Sequence, residues 1–297
     1  MEPKKFWIRN HKSLRDVAIE FPTRITVVVG PSSSGKTALV EAFEVLKSGR
    51  LPRGVAVGVE VRHGCRALYE VEDGKKTMVS DCGAGEADEI VRKFVGGIAV
   101  IKDIDWKAVR SLQPAVEQTA LLPDASNFIP FLYTVTGGVI PEALVEALRY
   151  VYPVKDVRLV ADGDVLVLKL VTDDGVTLTQ SSMPSGVLKT LILETVLMTQ
   201  PTMIVVDEFE AGLDPEAQQF LMDELRSHDV YALLTTNSHV VLDYVKTPRE
   251  VVTLRLDGGE TKARRLGVEV EEMLKRHKLT PSELIESGLL EPLVFQL

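Results

Sequence analysis

The order of apolar and polar residues predicts strands that alternate with helices along most of the chain. Continuous β-branched and apolar runs, typical of strands buried on both faces, occur at 25–29, 203–206 and 230–235. Segments with helical spacing follow the first two runs, one beginning near Lys36 and one covering 215–227. This alternation favours an α/β fold with a mixed, largely parallel central sheet.

The remaining pattern adds an antiparallel part and a helical part. Alternating valines between Val55 and Val79, with a turn at Asp73-Gly74, predict antiparallel strands near the N-terminus. Further predicted helices cover 86–94, 106–122, 141–150 and 187–198, and an amphipathic helix contains Val270, Met273 and Leu274. Further predicted strands are 6–9, 17–21, 157–160, 165–171 and one from Val251 to a turn at Gly258-Gly259. We therefore predict one domain with an N-terminal antiparallel β subdomain and a small helical lobe.

Within that domain the sequence suggests four consecutive segments. They are an N-terminal segment (1–85), a helical insert (86–152), a segment of strands and helices (153–250) and a C-terminal strand with helices (251–297).

Composition narrows the possible functions. The chain has 297 residues and a formal net charge of −9, which argues against a general nucleic-acid coat but allows a local basic groove. Its two cysteines, Cys65 and Cys82, are too few for a disulfide framework and lack metal-ligand spacing, which favours a reducing compartment. The N-terminus carries no signal-type apolar run, and no stretch of about 18 apolar residues is present. We expect a cytoplasmic protein without membrane contact.

The strand at 25–29 ends in a glycine-rich segment that fits a phosphate-binding loop. Gly30 to Thr37 has the pattern G-x-x-x-x-G-K-[ST] between a buried strand and an amphipathic helix. Its amides would surround the β-phosphate, Lys36 would bridge the β- and γ-phosphates, and the Thr37 hydroxyl would ligate Mg²⁺. The alternative is a glycine-rich turn without nucleotide. Predicted nucleotide-binding residues are Gly30, Pro31, Ser32, Ser33, Ser34, Gly35, Lys36, Thr37 and Ala38.

Two acids end the strand at 203–206. Asp207 would hold Mg²⁺, and Glu208 would act as the catalytic base that polarises the attacking water. Glu208 and Lys36 are the predicted catalytic residues. An acidic pair at a strand end is by itself more often a solvated terminus. Asp214 is placed to cap the helix that begins at Pro215.

These motifs together resemble the ABC-type ATPases, and more closely the soluble branch that contains RecF, SMC and OLD-like proteins. Ile8 to Leu14 is similar to the "I-x-N-F-K-S" entry hairpin of that branch, with His11 where an aromatic residue is usual. Asp207 to Pro215 is similar to its joined Walker B motif and D-loop. The resemblance covers nearly the whole chain and implies a P-loop NTPase that uses ATP with Mg²⁺.

Two further loops resemble parts of the same branch, with departures. Ser182-Met183-Pro184-Ser185-Gly186 is similar to the signature loop, which touches a partner subunit's γ-phosphate, and Gly186 precedes Asp207 by 21 residues. Pro184 stands where the signature serine is usual, so Ser185 and the helix N-terminus would supply the contacts. Leu234 to His239 resembles the switch loop, with Asn237 at the histidine position and His239 two residues later. The glutamine of the Q-loop has no assigned position.

The resemblance implies an ATP-dependent homodimer. Each site would combine Lys36, Thr37, Asp207 and Glu208 of one copy with Ser185, Gly186 and Asp214 of the other, and the departures predict slow hydrolysis. The segment between Thr37 and Ser182 has no long heptad run, so no SMC-type coiled coil is expected. About 60 residues follow the switch loop, so no OLD-type nuclease domain is expected.

Two other functions stay open at this point. The first is a DNA-associated clamp or defence component with a DNA or protein partner. The alternative is that its basic residues are simply solvent-exposed charges. The candidate contacts are Lys262, Arg264, Arg265, Lys275, Arg276 and Lys278. The second is the ATPase subunit of a membrane transporter, which the entry hairpin, the weak signature and the 23-residue interval between Asp214 and Asn237 disfavour.

Overall fold

The computed structural model describes residues 1–277 and 279–286. Within them the chain forms two compact units. The first contains Met1–Val100, Thr202–Phe209 and the described part of Asp229–Leu297, and the second contains Ile101–Pro201 and Glu210–His228.

The strands and helices follow one another in mixed order. The strands are β1 (Glu2–His11), β2 (Leu14–Glu20), β3 (Ile25–Val29), β4 (Ala56–His63), β5 (Cys65–Glu72), β6 (Lys75–Ser80), β7 (Ile98–Ile101), β8 (Gln113–Pro114), β9 (Val154–Asp162), β10 (Val165–Thr172), β11 (Thr177–Thr179), β12 (Met203–Val206), β13 (Tyr231–Thr235), β14 (Val251–Asp257) and β15 (Glu260–Arg265). The helices are α1 (Lys36–Ser48), α2 (Ala84–Gly96), α3 (Trp106–Arg110), α4 (Phe128–Thr136), α5 (Glu142–Val151), α6 (Ser185–Met198), α7 (Pro215–Ser227), α8 (His239–Asp243), α9 (Val268–His277) and α10 (Pro281–Glu286).

A six-stranded sheet with the order β15-β14-β3-β13-β12-β7 forms the centre of the first unit. β3 pairs in parallel with β13 and β14, β12 pairs in parallel with β13, and β15 pairs antiparallel with β14. All five residues of β3 and all four of β12 are buried, as continuous apolar strands require. The predicted α/β fold with a mixed, largely parallel central sheet is confirmed.

The predicted antiparallel β subdomain is a five-stranded sheet in the same unit, with the order β2-β1-β4-β5-β6. Alternate residues in the middle of β1 and β2 are buried, namely Phe6 and Ile8 in β1 and Val17 and Ile19 in β2. These residues share a core with the buried face of α1, where the rings of Phe6 and Phe43 stack at 4.0 Å. The entry hairpin, β1 and β2, is therefore packed directly on the helix that follows the phosphate loop (Gly30–Thr37).

Cys65 and Cys82 form a disulfide, which the sequence interpretation did not anticipate. Their Cα atoms are 5.8 Å apart, because the antiparallel pairing of β5 with β6 brings the two strand ends together. The bond closes a segment of 17 residues, and both side chains pack against the core of the unit. The argument from cysteine count to a reducing compartment therefore does not hold, and the cytoplasmic location stays a prediction.

The second unit combines helices with a small antiparallel sheet of β8, β9, β10 and β11. The predicted helices at 141–150 and 187–198 are confirmed as α5 and α6, and the predicted strands at 157–160 and 165–171 as β9 and β10. Nearly every residue of α6 is buried, from Gly186 to Leu197.

The predicted helix over 106–122 is wrong. α3 ends at Arg110, and Gln113-Pro114 pairs with β10 instead. Proline lacks an N–H group and clashes with the preceding turn, so Pro114 cannot stand in a helix interior. The following loop is held by the Asn127 amide, which accepts from Leu122 N at 2.9 Å and donates to Ala120 O at 2.9 Å.

Some elements carried no strong sequence signal. β7 has four residues, and α4 contains Pro130 among β-branched and aromatic residues, a composition that does not favour a helix. The proline is tolerated because it lies in the first turn of α4. No helix within residues 1–277 and 279–286 is long and apolar enough to cross a membrane.

Candidate functional site

The carboxyl ends of three neighbouring strands meet at one edge of the central sheet. In the order β3-β13-β12, Val27 is level with Leu234, and Leu234 is level with Val206. The phosphate loop leaves β3 at this edge, the switch loop (Leu234–His239) leaves β13, and Asp207 follows β12. The three motifs predicted from sequence thus start from the same edge, where ligands of open α/β sheets bind.

The phosphate loop has the backbone of an anion cradle. Ser33 and Gly35 adopt left-handed conformations, with φ of +67° and +102°, and α1 begins at Lys36 without a side-chain cap. The amides of the first turn of α1 are therefore available to a phosphate. The Lys36 ammonium donates to the carbonyl oxygens of Gly30 at 2.6 Å and Pro31 at 3.2 Å, so it lies folded over the loop.

Two observations test whether the loop fits a phosphate. A Cβ atom built on Gly30 would lie 2.3 Å from the Leu254 carbonyl oxygen and 2.7 Å from Ser34 Oγ, so a larger residue would fill the cradle. The Ser34 hydroxyl is buried and has no hydrogen-bond partner among the described residues. A buried hydroxyl without a partner costs free energy, which a phosphate oxygen could recover. The residues of the loop therefore fit a nucleotide phosphate.

The loop is supported by the entry hairpin and by β15. Thr261 Oγ1 lies 2.8 Å from Ser13 Oγ and 2.9 Å from the Ser34 carbonyl oxygen. Thr261 N also donates to Ser13 O at 2.8 Å. In the same hairpin, the buried His11 has its pKa lowered by burial, and its Nε2 lies 3.5 Å from Glu41 Oε2 on α1. His11 thus links the entry hairpin to α1, at the position where the branch that the sequence resembles usually has an aromatic residue.

The two acids after β12 are held by Thr235 at the end of β13. The Thr235 hydroxyl donates to the Asp207 carboxylate, and it also accepts from Glu208 N at 2.9 Å. Asp207 is buried, whereas Glu208 is exposed and has a left-handed backbone with φ of +46°. Such a conformation costs a non-glycine residue roughly 1 kcal/mol or more and is concentrated at functional sites. The two carboxylates thus occupy different environments, as required for different roles.

In the switch loop, the buried Thr236 accepts from Ser238 N at 2.9 Å, and the Ser238 hydroxyl caps α8. Asn237 and His239 are both exposed on either side of that cap. His239, two positions after Asn237, is the first residue of α8, so it begins a helix rather than ending the loop.

The second unit brings the signature loop (Ser182–Gly186) together with the D-loop (Glu210–Asp214). A Cβ atom built on Gly186 would lie 2.8 Å from the Gly212 carbonyl oxygen, and one built on Gly212 would lie 3.3 Å from Ser185 Cβ. The buried Lys189 of α6 donates to Ala211 O at 3.0 Å. Asp214 caps α7 by accepting from Ala217 N at 2.8 Å, as predicted. Ser185, Gly186 and Asp214 therefore belong to one local arrangement.

Sequence reasoning missed Thr235, Thr261, Lys189 and Arg110. Lys189 had a detectable signal, since it is the lone basic residue in the apolar run from Val187 to Met198. Thr235 ends a buried strand, where a polar side chain needs a partner. Thr261 and Arg110 reach their partners through tertiary contacts, which no local pattern encodes.

The basic residues considered for DNA binding are partly committed to other contacts. Arg265 donates to the carbonyl oxygens of Arg249 and Glu20, and burial lowers its pKa to about 10. Lys262 pairs with Glu260 at 2.8 Å, and Lys275 pairs with Glu271 at 2.9 Å. Arg264 and Arg276 belong to β15 and α9, and Lys278 lies outside the described residues. No described contact favours a DNA surface at these positions.

The central sheet, the phosphate loop and the acids at the same sheet edge form the arrangement of a P-loop nucleotide-binding fold. Two family profiles match parts of the chain: "AAA domain, putative AbiEii toxin, Type IV TA system" over residues 114–243, and "AAA domain" over residues 5–92.

The comparison with solved structures agrees with this fold. An SMC head bound to the C-winged helix domain of ScpA matches with a TM-score of 0.65 and 16% identity, covering 92% of this chain and 100% of that chain. The SMC head domain with an extended coiled coil, bound to the C-terminal domain of ScpA from Pyrococcus furiosus, gives 0.65 and 13%, covering 93% and 99%. The SMC head domain from Thermotoga maritima gives 0.56 and 14%, covering 90% and 100%. At these identities the likeness concerns the fold. Among curated proteins, none matches the sequence.

Proposed function

We propose that this chain is an Mg²⁺-dependent ATPase whose two copies close head to head on two ATP molecules and separate after hydrolysis. The single observation that supports nucleotide chemistry most strongly is the meeting of the phosphate loop, Asp207 and Glu208 at one sheet edge. The family matches, which include both motif regions, support the same conclusion.

In the proposed mechanism, one copy binds and positions the nucleotide. The amides of the phosphate loop and the Lys36 ammonium would hold the β- and γ-phosphates, for which Lys36 must leave the Gly30 and Pro31 carbonyls. Thr37 and Asp207 are the residues that would hold Mg²⁺. When bound, the ion would neutralise negative charge that develops on the phosphate oxygens. Glu208 would orient the attacking water and accept its proton, while Thr235 keeps both acids in place.

The second copy would complete each site through the signature loop and the D-loop. Support comes from the close approach of Ser185 to Gly212 and from the Lys189 bond to Ala211, which make the two loops one surface. Because ATP would be bound by both copies, it would stabilise the dimer by linkage. Pro184 and Asn237 remove two groups that the family uses at the γ-phosphate, so we propose slow hydrolysis and a role as a switch.

Glu208→Gln provides the test of the proposal. The amide keeps the shape of the side chain but cannot accept the proton, so the variant should accumulate as an ATP-bound dimer with twice the 32.7 kDa mass of the chain. Size-exclusion chromatography with light scattering, at saturating ATP and Mg²⁺, measures this mass.

Two variants serve as controls for that measurement. Glu216→Gln removes the same charge from the exposed first turn of α7 and should give the same mass as the wild type under the same conditions. Lys36→Ala combined with Glu208→Gln should stay monomeric because the nucleotide is not held. A monomer of Glu208→Gln at saturating ATP would contradict the dimer proposal.

A protein partner is a further part of the proposal. Two of the matching SMC heads were solved with domains of ScpA bound, which supports a search for a protein that recognises this chain. Capture with the ATP-trapped Glu208→Gln variant, compared with the Lys36→Ala variant, would identify a partner specific to the ATP state.

A further inference from the structure

Arg110 contacts the signature loop directly. Its Nη2 donates to Ser185 Oγ at 2.9 Å and lies 3.4 Å from the Met183 carbonyl oxygen. The guanidinium also lies over the Trp106 ring, 5.3 Å from its centroid. The arginine therefore touches the signature loop on both sides of Pro184, the position at which the loop departs from the family.

The segment that carries Arg110 is held firmly against the strand leading into the signature loop. The Gln113 amide donates to Ala108 O at 2.8 Å, and the Gln180 amide lies 3.4 Å from Ser111 O. Both glutamines are buried, and Gln180 also accepts from Leu168 N at 3.0 Å. Buried side chains with satisfied hydrogen bonds have little freedom, so the position of Arg110 is fixed relative to Ser185.

The contact decides what Ser185 can do. A hydroxyl has one hydrogen to donate and two lone pairs that accept. Arg110 occupies a lone pair, and no described residue accepts the Ser185 hydrogen. A charge-assisted bond to the oxygen also polarises the O–H group and makes it a better donor. Ser185 is thus prepared to donate to an anion, beside a helix N-terminus that has no side-chain cap.

We propose that Arg110 is a positioning residue that orients the Ser185 hydroxyl toward the terminal phosphate of a nucleotide bound by a second copy of the chain. This inference rests on the proposed function. In this arrangement Arg110 and Ser185 together replace the serine that Pro184 displaces. The ligand is a nucleoside triphosphate, since a diphosphate lacks the phosphate group that reaches the other copy.

The test uses the Glu208→Gln variant as the background. Arg110→Ala should weaken its ATP-dependent dimerisation by roughly ten- to a hundredfold for each of the two sites, as expected for the loss of one charge-assisted hydrogen bond per site. Binding of a fluorescent ATP analogue by the monomer should change less than about twofold, because Arg110 does not belong to the phosphate loop. Arg110→Lys keeps the charge and should recover part of the dimerisation. Arg149→Ala, which removes an exposed arginine from α5, is the matched control and should have no effect.

A double-mutant cycle separates positioning from general support of the fold. Ser185→Ala alone should weaken the dimer, and adding Arg110→Ala to it should change little further, since the arginine acts through the serine. Additive losses, or no recovery with Arg110→Lys, would overturn the inference. Unchanged dimerisation of Arg110→Ala would also overturn the inference, but the proposed function would stand. A background variant that does not dimerise at all would overturn both.

Discussion

At the scale of single residues, Glu194 stands out as an acid in the apolar helix α6. The residue is 7% exposed, and its Oε1 has no hydrogen-bond partner among the described residues. Burial, together with the nearby Glu224 carboxylate, raises the pKa of Glu194 to about 8. At neutral pH the residue therefore carries a proton in the folded chain, whereas an unfolded chain would release it.

This difference makes stability depend on pH. Between the ordinary pKa near 4.5 and the raised value near 8, the folded state binds a proton that the unfolded state lacks. The contribution of Glu194 to the free energy of unfolding therefore falls by roughly 3 kcal/mol from pH 5 to pH 8. Glu194→Gln should remove this part of the slope and be the more stable form at pH 8. Urea unfolding at both pH values measures it.

The exposed Glu146→Gln of α5 is the control for this experiment and should keep the slope of the wild type. The buried His11, whose pKa is lowered, contributes with the opposite sign as pH falls through its ordinary value near 6.5. It is present in all three proteins and cancels in the comparison. Equal pH slopes for the wild type and Glu194→Gln would contradict the prediction.

The sequence identified residues whose role depends on local order, and it missed those whose role depends on contacts across the fold. Gly30 to Thr37, Asp207 and Asp214 could be placed because a strand, a turn and a helix start leave a local pattern. Thr235 is 28 positions from Asp207, and Arg110 is 75 positions from Ser185. Their function arises from tertiary contact, for which one sequence has no periodic signal.

At the scale of elements, the Cys65–Cys82 disulfide fastens β6, the edge strand of the antiparallel sheet, to β5. α2 begins two residues after Cys82, so the bond also fixes the start of that helix. Replacing both cysteines with serine should lower the free energy of unfolding by about 3 kcal/mol, the loop-closure estimate for a segment of this length. Chemical unfolding with and without a reducing agent measures the difference.

The double serine variant should not respond to the reducing agent. It therefore serves as the control for effects of that agent other than reduction of the disulfide. Hydrogen exchange should rise mainly in β6 and the first turn of α2, because these lose their covalent anchor. Identical unfolding midpoints for oxidised and reduced wild-type protein would contradict the prediction.

Element boundaries were predicted well where pattern and chain chemistry agree. β12 and α7 have the predicted bounds, since an apolar run and an Asp-Pro start are unambiguous. The prediction of a helix over 106–122 is wrong because Pro114 cannot lie in a helix interior, although the apolar spacing around it is helical. α4 was not predicted because its residues are almost all apolar, a composition without helical periodicity.

At the scale of the whole molecule, a ligand that binds the folded chain alone must raise its stability. ATP with Mg²⁺ at about 100 times its dissociation constant should add about 2.7 kcal/mol to the free energy of unfolding. Thermal unfolding should show a higher midpoint, and Lys36→Ala should lose the shift. AMP, which lacks the β- and γ-phosphates, is the matched control ligand. An equal shift with AMP would place the nucleotide elsewhere than the phosphate loop.

The support of the phosphate loop by β14 and β15 affects how the chain can be divided. Leu254 and Thr261 contact the loop from more than 200 positions downstream, through Gly30 and Ser34. A fragment that stops after residue 250 would still contain the complete phosphate loop, Asp207 and Glu208. It would lack Leu254 and Thr261, which pack against that loop. Any shortened version designed for binding studies should therefore retain the hairpin at 251–265.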